Sequence, residues 1–321
     1  MIPQRLLANY QNRALGVCVY GNGGLKKTLA VRTLIPPILL FDFEGGSGCL
    51  GPWTRRIRLW NEQNSATDYT QERREQLLAM VSKTTRFVRV GEEVKDLALL
   101  APAPLIDIVS FNDVLSQNME NKTSPAYDHF FQMVANFAGE YNSIAIDPLI
   151  EMSQLTQSQS KLKSGVTAYE PMAVQWWQGA QERAGIILRR LRNYRDQGVF
   201  IYMTSSEFVD KDYGTDPRSK SQGQQIEEPY AIKGTLNVPG KLVGAVNHML
   251  DLQFHVRSMN GQPVWVTQEE SARSGSFNWE AKDRTGRIQE RYITPNFRGV
   301  VKQIYGEEAF KEMYALWRKD A

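Results

Sequence analysis

Cysteine and histidine are scarce, with two and three residues in a chain of 321. Cys18 and Cys49 cannot supply the disulfide framework of a small secreted domain, and Cys18 lies inside an apolar run, as a small buried hydrophobe does. A reducing, cytoplasmic compartment is expected. His129, His248 and His255 have no metal-ligand spacing with either cysteine, so no metal site built from His and Cys is expected. An excess of one charge is lacking as well. The 38 Lys and Arg against 35 Asp and Glu leave a net +3, which excludes a chain-wide polyanion-binding surface and makes any such site local. No 18 consecutive apolar residues run without a charge, and the opening MIPQRLLANYQNR has neither an apolar stretch nor a small-residue cleavage site. Neither export nor a membrane span is expected.

What is present fits a globular chain: 42% apolar and 23% charged residues can bury a core and dress its surface. Five short apolar runs recur between helical patterns, at 15–20 (LGVCVY), 38–43 (ILLFDF), 105–110 (LIDIVS), 143–147 (SIAID) and 199–204 (VFIYMT). Near-continuous apolarity means burial on both faces, so these runs predict an α/β fold with a mainly parallel sheet between helices. The clearest helix follows Pro171. There Ala173, Trp177, Ala180, Ala184, Ile187, Leu188, Leu191 and Tyr194 share a face until Gly198, while Arg183, Arg189, Arg190, Arg192 and Arg195 read as a solvated face. The alternating runs 251–256, 263–267 and 277–281, with Asn260-Gly261 and Ser274-Gly275 between them, predict antiparallel strands added to the sheet edge. An insertion at 53–104 and a C-terminal helix at about 306–318 complete a single expected domain over 1–321. Two polar segments, 153–170 and 207–240, read as loops.

The strongest motif is VCVYGNGGLKKTLAV, residues 17–31: a buried strand, a glycine-rich turn, then Lys27-Thr28 opening a helix. Backbone N–H groups curling round an anion at a helix N-terminus make a phosphate cradle, here Gly21, Asn22, Gly23, Gly24, Leu25, Lys26, Lys27 and Thr28. Against the pattern G-x-x-x-x-G-K-[ST], the second glycine is Lys26. If that position needs a positive φ, the lysine strains the loop; alternatively its ammonium has become a phosphate ligand. FDFEGG ends a strand in Asp42 and Glu44, a pattern that also caps a following element. Asp147, after the buried run at 143–147, fits a carboxylate that together with Thr28 holds Mg²⁺ or its water, or else a helix N-cap. Thr204, Ser205 and Ser206 end another strand. All of these sit at strand carboxyl ends, where ligands bind in open α/β sheets.

In this order, the P-loop, strand-Asp-x-Glu-Gly-Gly, strand-Asp and strand-Thr-Ser-Ser resemble the RecA-type ATPase core, and most closely the compact RecA-like ATPases of phages linked to single-strand annealing. The resemblance implies ATP and Mg²⁺ as ligands, Glu44 activating the attacking water, and Ser205 or Ser206 sensing the γ-phosphate. It implies DNA binding by the two polar segments, through Lys161, Lys163, Lys211, Arg218, Lys220 and Lys233; the same charges in 207–240 also read as solvated loop. PGKLVGAVNHMLD is similar to the phage subgroup's Gly-Lys segment. AKDRTG is similar to the Lys-x-Arg-x-Gly motif of RadA-type relatives, which would aim Lys282 and Arg284 at a neighbouring subunit's nucleotide. The implied protein is an intracellular, phage or prophage recombination factor. It would form a homo-oligomeric ring or filament, act on single-stranded DNA and have a single-strand DNA-binding protein among its partners. Two other functions stand beside it: a P-loop ATPase acting on protein, of packaging or partition type, and a nucleotide-binding module that no longer turns over.

Overall fold

The computed structural model describes residues 1–56, 87–90, 93–96, 106–111, 119–120, 122, 124–136, 138–212, 230–238, 242–271 and 278–319. Five of its strands are the five apolar runs: β1 (Gly16–Tyr20), β2 (Ile38–Asp42), β6 (Ile106–Ser110), β7 (Ser143–Asp147) and β8 (Phe200–Ser205). All are fully buried apart from Ser110. Together with β3 (Thr54–Arg56), β11 (Leu252–Met259), β12 (Gln262–Val266), β15 (Lys282–Asp283) and β16 (Tyr292–Ile293) they form one sheet, in the order β16-β12-β11-β1-β8-β7-β2-β6-β3 with β15 paired to β11. From β11 to β3 every neighbour is parallel, and β12, β15 and β16 add antiparallel. The consequence for the site is that β8 lies between the strand of the glycine-rich turn and the strand of Asp147.

Alternation along the parallel strands divides the interior into two cores. Cys18, Tyr20, Leu39, Phe41, Ile144, Ile146, Ile201 and Met203 pack under α2 (Pro125–Asn136), α3 (Leu149–Lys163), α4 (Val174–Asp196) and α5 (Leu242–Met249). Val17, Val19, Ile38, Leu40, Phe200 and Tyr202 pack on the other side, under α1 (Gln4–Leu7), α6 (Phe297–Tyr305) and α7 (Glu307–Lys319). Helices therefore cover both faces of a mainly parallel sheet with antiparallel strands at one edge, the expected α/β architecture. Cys18 is buried, and desolvation pushes its thiol up to about 12, as an inert structural cysteine requires.

A second sheet, in the order β13-β14-β10-β9, is built from β9 (Glu207–Asp212), β10 (Tyr230–Leu236), β13 (Glu270–Ser271) and β14 (Asn278–Trp279). Its anchor is Trp279, whose ring stacks on His255 at 4.2 Å and lies against Gly234. A Cβ at position 234 would stand 2.0 Å from the indole, so only glycine fits. The remaining pair, β4 (Phe87–Val90) with β5 (Glu93–Asp96), lies within the expected insertion.

Several expectations need correction. The segment after the glycine-rich turn is a six-residue 3₁₀ turn, Thr28–Thr33, and not a full α-helix. β-branched Thr28, Val31 and Thr33 disfavour longer helix, and Pro36-Pro37 end it. The polar segment 153–170 is mostly helix α3, with Ser153, Thr156, Ser158, Gln159 and Ser160 buried. Two of its hydroxyls bond back to helix carbonyls, Thr156 to Ser153 and Ser160 to Thr156, so they need no solvent. The segment 207–240 supplies β9 and β10. The alternating run 251–256 joins the parallel set as β11, beside β1, and turns through Asn260 and Gly261, both at positive φ, into antiparallel β12. Among the described residues of 277–281, Asn278–Trp279 is strand, and it belongs to the second sheet; Ser274-Gly275 lies outside the described residues. The arginine face is only partly solvated. Arg195 is 2% exposed and donates to Met249 O and to fully buried Asp251, which also accepts from Arg13 at 2.7 Å and Tyr10 at 3.0 Å. Trp176 and Trp177 are both half-buried. Among the described residues no helix is long and apolar enough to cross a membrane.

Candidate functional site

The turn leaves β1 at Gly21, whose backbone runs so close to β11 that a Cβ would lie 2.6 Å from Val256 O. Lys26 has φ +58. The position usually given to glycine therefore does use the left-handed region, and a lysine there costs roughly 1–2 kcal/mol. The Lys26 side chain is exposed and has no hydrogen bond or ion pair among the described residues. The half-buried Lys27 behaves differently: its ammonium folds over the loop and donates to the carbonyls of Gly21 (2.8 Å) and Asn22 (2.7 Å). Burial lowers its pKa, while Asp147, Glu44 and Glu207 oppose that shift.

Asp147 is 6% exposed and accepts two hydroxyls, Thr28 Oγ1 on Oδ2 at 2.5 Å and Thr204 Oγ1 on Oδ1. It does not cap α3, whose N-cap is Pro148 with no side-chain bond, so the capping alternative falls. Burial raises its pKa and the two hydroxyls hold it down. A hydroxyl and a carboxylate in contact are the hard oxygen donors that suit Mg²⁺ beside a phosphate, so the residues present fit that ion. Gly46 lies beside the pair, where a Cβ would be 3.7 Å from Thr28 Oγ1. Asp42 takes the capping role, accepting from the backbone N–H of Gly46 (3.1 Å) and Ser47 (3.2 Å). The turn so fixed presents Glu44 at the surface. Burial raises the Glu44 pKa first, with Asp147 and Glu151 adding to the shift and Lys27 opposing it.

Gly21, Lys27, Thr28, Glu44 and Asp147 thus converge at the carboxyl end of the sheet, as their sequence positions suggest. Ser205 and Ser206 stand nearby but are committed elsewhere. Ser205 Oγ donates to Asn237 O at 3.1 Å, and Ser206 Oγ accepts from Asn237 Nδ2 at 3.1 Å. Of the three hydroxyls ending β8, it is Thr204 that enters the site. Lys282 and Arg284 lie at the other end: Arg284 N donates to Asp251 O, and Asp251 N to Gly16 O. The five residues of β1 separate that end from Gly21, about 16 Å at ~3.3 Å per residue. Neither cation reaches its own chain's loop. Lys282 instead donates to Asn247 O at 3.3 Å.

Among the expected DNA contacts, Lys161 donates to Ala168 O at 2.9 Å and Lys163 is exposed. Lys211 lies in β9 and Lys233 in β10, while Arg218 and Lys220 fall outside the described residues. Sequence reasoning passed over Tyr202, Glu151 and Glu207. Tyr202 and Glu207 follow from strand neighbours that only the three-dimensional order reveals; Glu151, one turn into α3, was open to helical spacing.

In comparison with known proteins, the profile of the AAA domain family matches residues 13–285. No curated protein matches the chain. Among solved structures, the flagellar accessory protein FlaH from Methanocaldococcus jannaschii aligns over 88% of this chain and 84% of its own, at 8% identity and a TM-score of 0.35. With its phosphate loop, its acidic strand end and a profile match over most of its length, the chain belongs to the AAA domain family of P-loop ATPases.

Proposed function

We propose that the protein is an ATP-dependent, single-strand-DNA-binding recombination or annealing factor that works as a homo-oligomer. The observation that carries the nucleotide half is the contact of Thr28 and Asp147 beside Lys27, with Glu44 facing the same space. Lys27 would hold the β and γ phosphates, and Thr28 with Asp147 would hold the ion. Mg²⁺ bound there would offset phosphate charge. Glu44 would orient the attacking water. Burial and the neighbouring carboxylates, which raise its pKa, also make it a better proton acceptor than an isolated glutamate.

The DNA half is supported by continuity. β8 brings Thr204 to Asp147 and runs directly into the β9–β10 arm carrying Lys211 and Lys233. At the end of α3 and just beyond it, exposed Lys163 and Tyr169 offer a cation and a ring for phosphate contact and stacking. ATP turnover with and without single-stranded DNA tests the proposal. Stimulation supports it, DNA-independent turnover favours an ATPase acting on protein, and no turnover favours a nucleotide-binding module. Glu44→Gln should hold ATP affinity within a few fold while turnover falls by roughly 10²; equal loss of both would remove Glu44 from this role.

A further inference from the structure

The Lys27 carbonyl accepts two hydrogen bonds. One comes from Ala30 N at 3.2 Å, within the 3₁₀ turn, and the other from the hydroxyl of Tyr202 at 2.9 Å, across from β8. In a long α-helix the loop that precedes it is held by a ladder of backbone bonds. Here the turn has six residues and stops at Thr33, ahead of Pro36-Pro37, so that support is short. Tyr202 has no exposed surface and packs in the core below the turn, which fixes its ring and hence the place of its hydroxyl. Two residues further along the same face of β8, Thr204 bonds Asp147, which in turn accepts from Thr28. One strand therefore sets both sides of the site, the lysine backbone through Tyr202 and the carboxylate through Thr204.

We propose that Tyr202 is a positioning residue for the phosphate-binding lysine, its hydroxyl replacing the missing helix as the fixed point from which Lys27 is aimed. This rests on the nucleotide reading given above. The flexible Lys27 side chain finds ground-state phosphate from a slightly displaced backbone, whereas the transition state needs it aligned, so a loosened anchor lowers kcat more than affinity.

The test is Tyr202→Phe, which removes one oxygen and keeps the ring, so core packing is preserved. Backbone amide exchange is measured without nucleotide, followed by steady-state ATP turnover and ADP affinity. Expected are roughly tenfold faster exchange confined to residues 21–31, a kcat about tenfold lower, and ADP affinity within twofold. 3-Fluorotyrosine at position 202, which keeps ring and donor, should restore wild-type values. Unchanged exchange at 21–31, or acceleration spread equally over β2 and β7, overturns the proposal, as does an equal loss of kcat and affinity. If the wild type hydrolyses no ATP, the functional reading fails, and the exchange pattern alone decides the place of Tyr202.

Discussion

Replacing Thr204 by valine keeps shape and removes one donor from Asp147. The carboxylate is almost wholly buried and carries one hydroxyl on each oxygen, so the variant leaves Oδ1 without that donor while Thr28 stays on Oδ2. Leaving a buried acceptor unsatisfied costs about 1–3 kcal/mol, towards the upper end when it is charged. At about 2 kcal/mol the melting temperature of a chain of 321 residues should fall by roughly 3 °C. The sign of the pH dependence follows from the same bond. Thr204 favours the charged carboxylate, so its loss raises the Asp147 pKa further. Protonation then reduces the cost of the missing donor, and the deficit should shrink as pH falls from neutral into the acid range. Thr204→Ser, which keeps the hydroxyl, should recover most of the loss. Thermal melts of the three proteins at several pH values measure all of this. A valine variant that melts with the wild type at neutral pH would refute the role given to this hydrogen bond.

Other perturbations test separate parts of the argument. Lys26→Gly relieves roughly 1–2 kcal/mol of left-handed strain and gives back about 0.4–1 kcal/mol through the unfolded chain, so stability should hold or rise slightly and turnover should not drop; a tenfold loss of ATP affinity would instead make its ammonium a phosphate ligand. Burial lowers His129 to about 4, so below about 6.5 the unfolded chain takes up a proton that the native state refuses, and about 3 kcal/mol of stability is lost by pH 4. His129→Gln should flatten the melting profile between pH 7 and 4.5, and a slope equal to the wild type would exclude the histidine as its source. Arg284 stands a strand length from its own loop, so Arg284→Ala and Lys27→Ala proteins, each inactive, should regain ATPase activity when mixed if the arginine serves a neighbour; mixed oligomers without activity would remove that role.

The chain shows the ends of its strands more readily than what braces them, and the reason is physical. A strand buried on both faces must be apolar along its whole length, so LGVCVY, SIAID and VFIYMT announce themselves, and the polar residues that close them mark the carboxyl end of the sheet. Gly21, Lys27, Thr28, Glu44 and Asp147 were legible on that basis. Composition misleads where polar groups are satisfied internally. SQLTQSQSKLK reads as solvated loop, yet the Thr156 and Ser160 hydroxyls bond within α3 and most of the segment is buried. Arg195 reads as surface because its partner Asp251 is distant in sequence and meets it only once β11 lies beside β1.

The same limit hides Tyr202. It is one aromatic in an apolar strand, indistinguishable from a core residue until β8 is found between β1 and β7. That order follows from crossovers, which no local pattern encodes. A strand placed there touches both the phosphate loop and the acidic strand end, and then leaves for the second sheet. Anything that shifts β9 and β10 therefore has a short covalent path, through Ser206 and Ser205, to the two hydroxyls that hold Lys27 and Asp147. Along this path a ligand on the β9–β10 arm alters turnover by favouring one placement of that strand over another. If single-stranded DNA binds that arm as proposed, its stimulation of turnover passes through β8, and Tyr202→Phe should weaken the stimulation together with the basal rate.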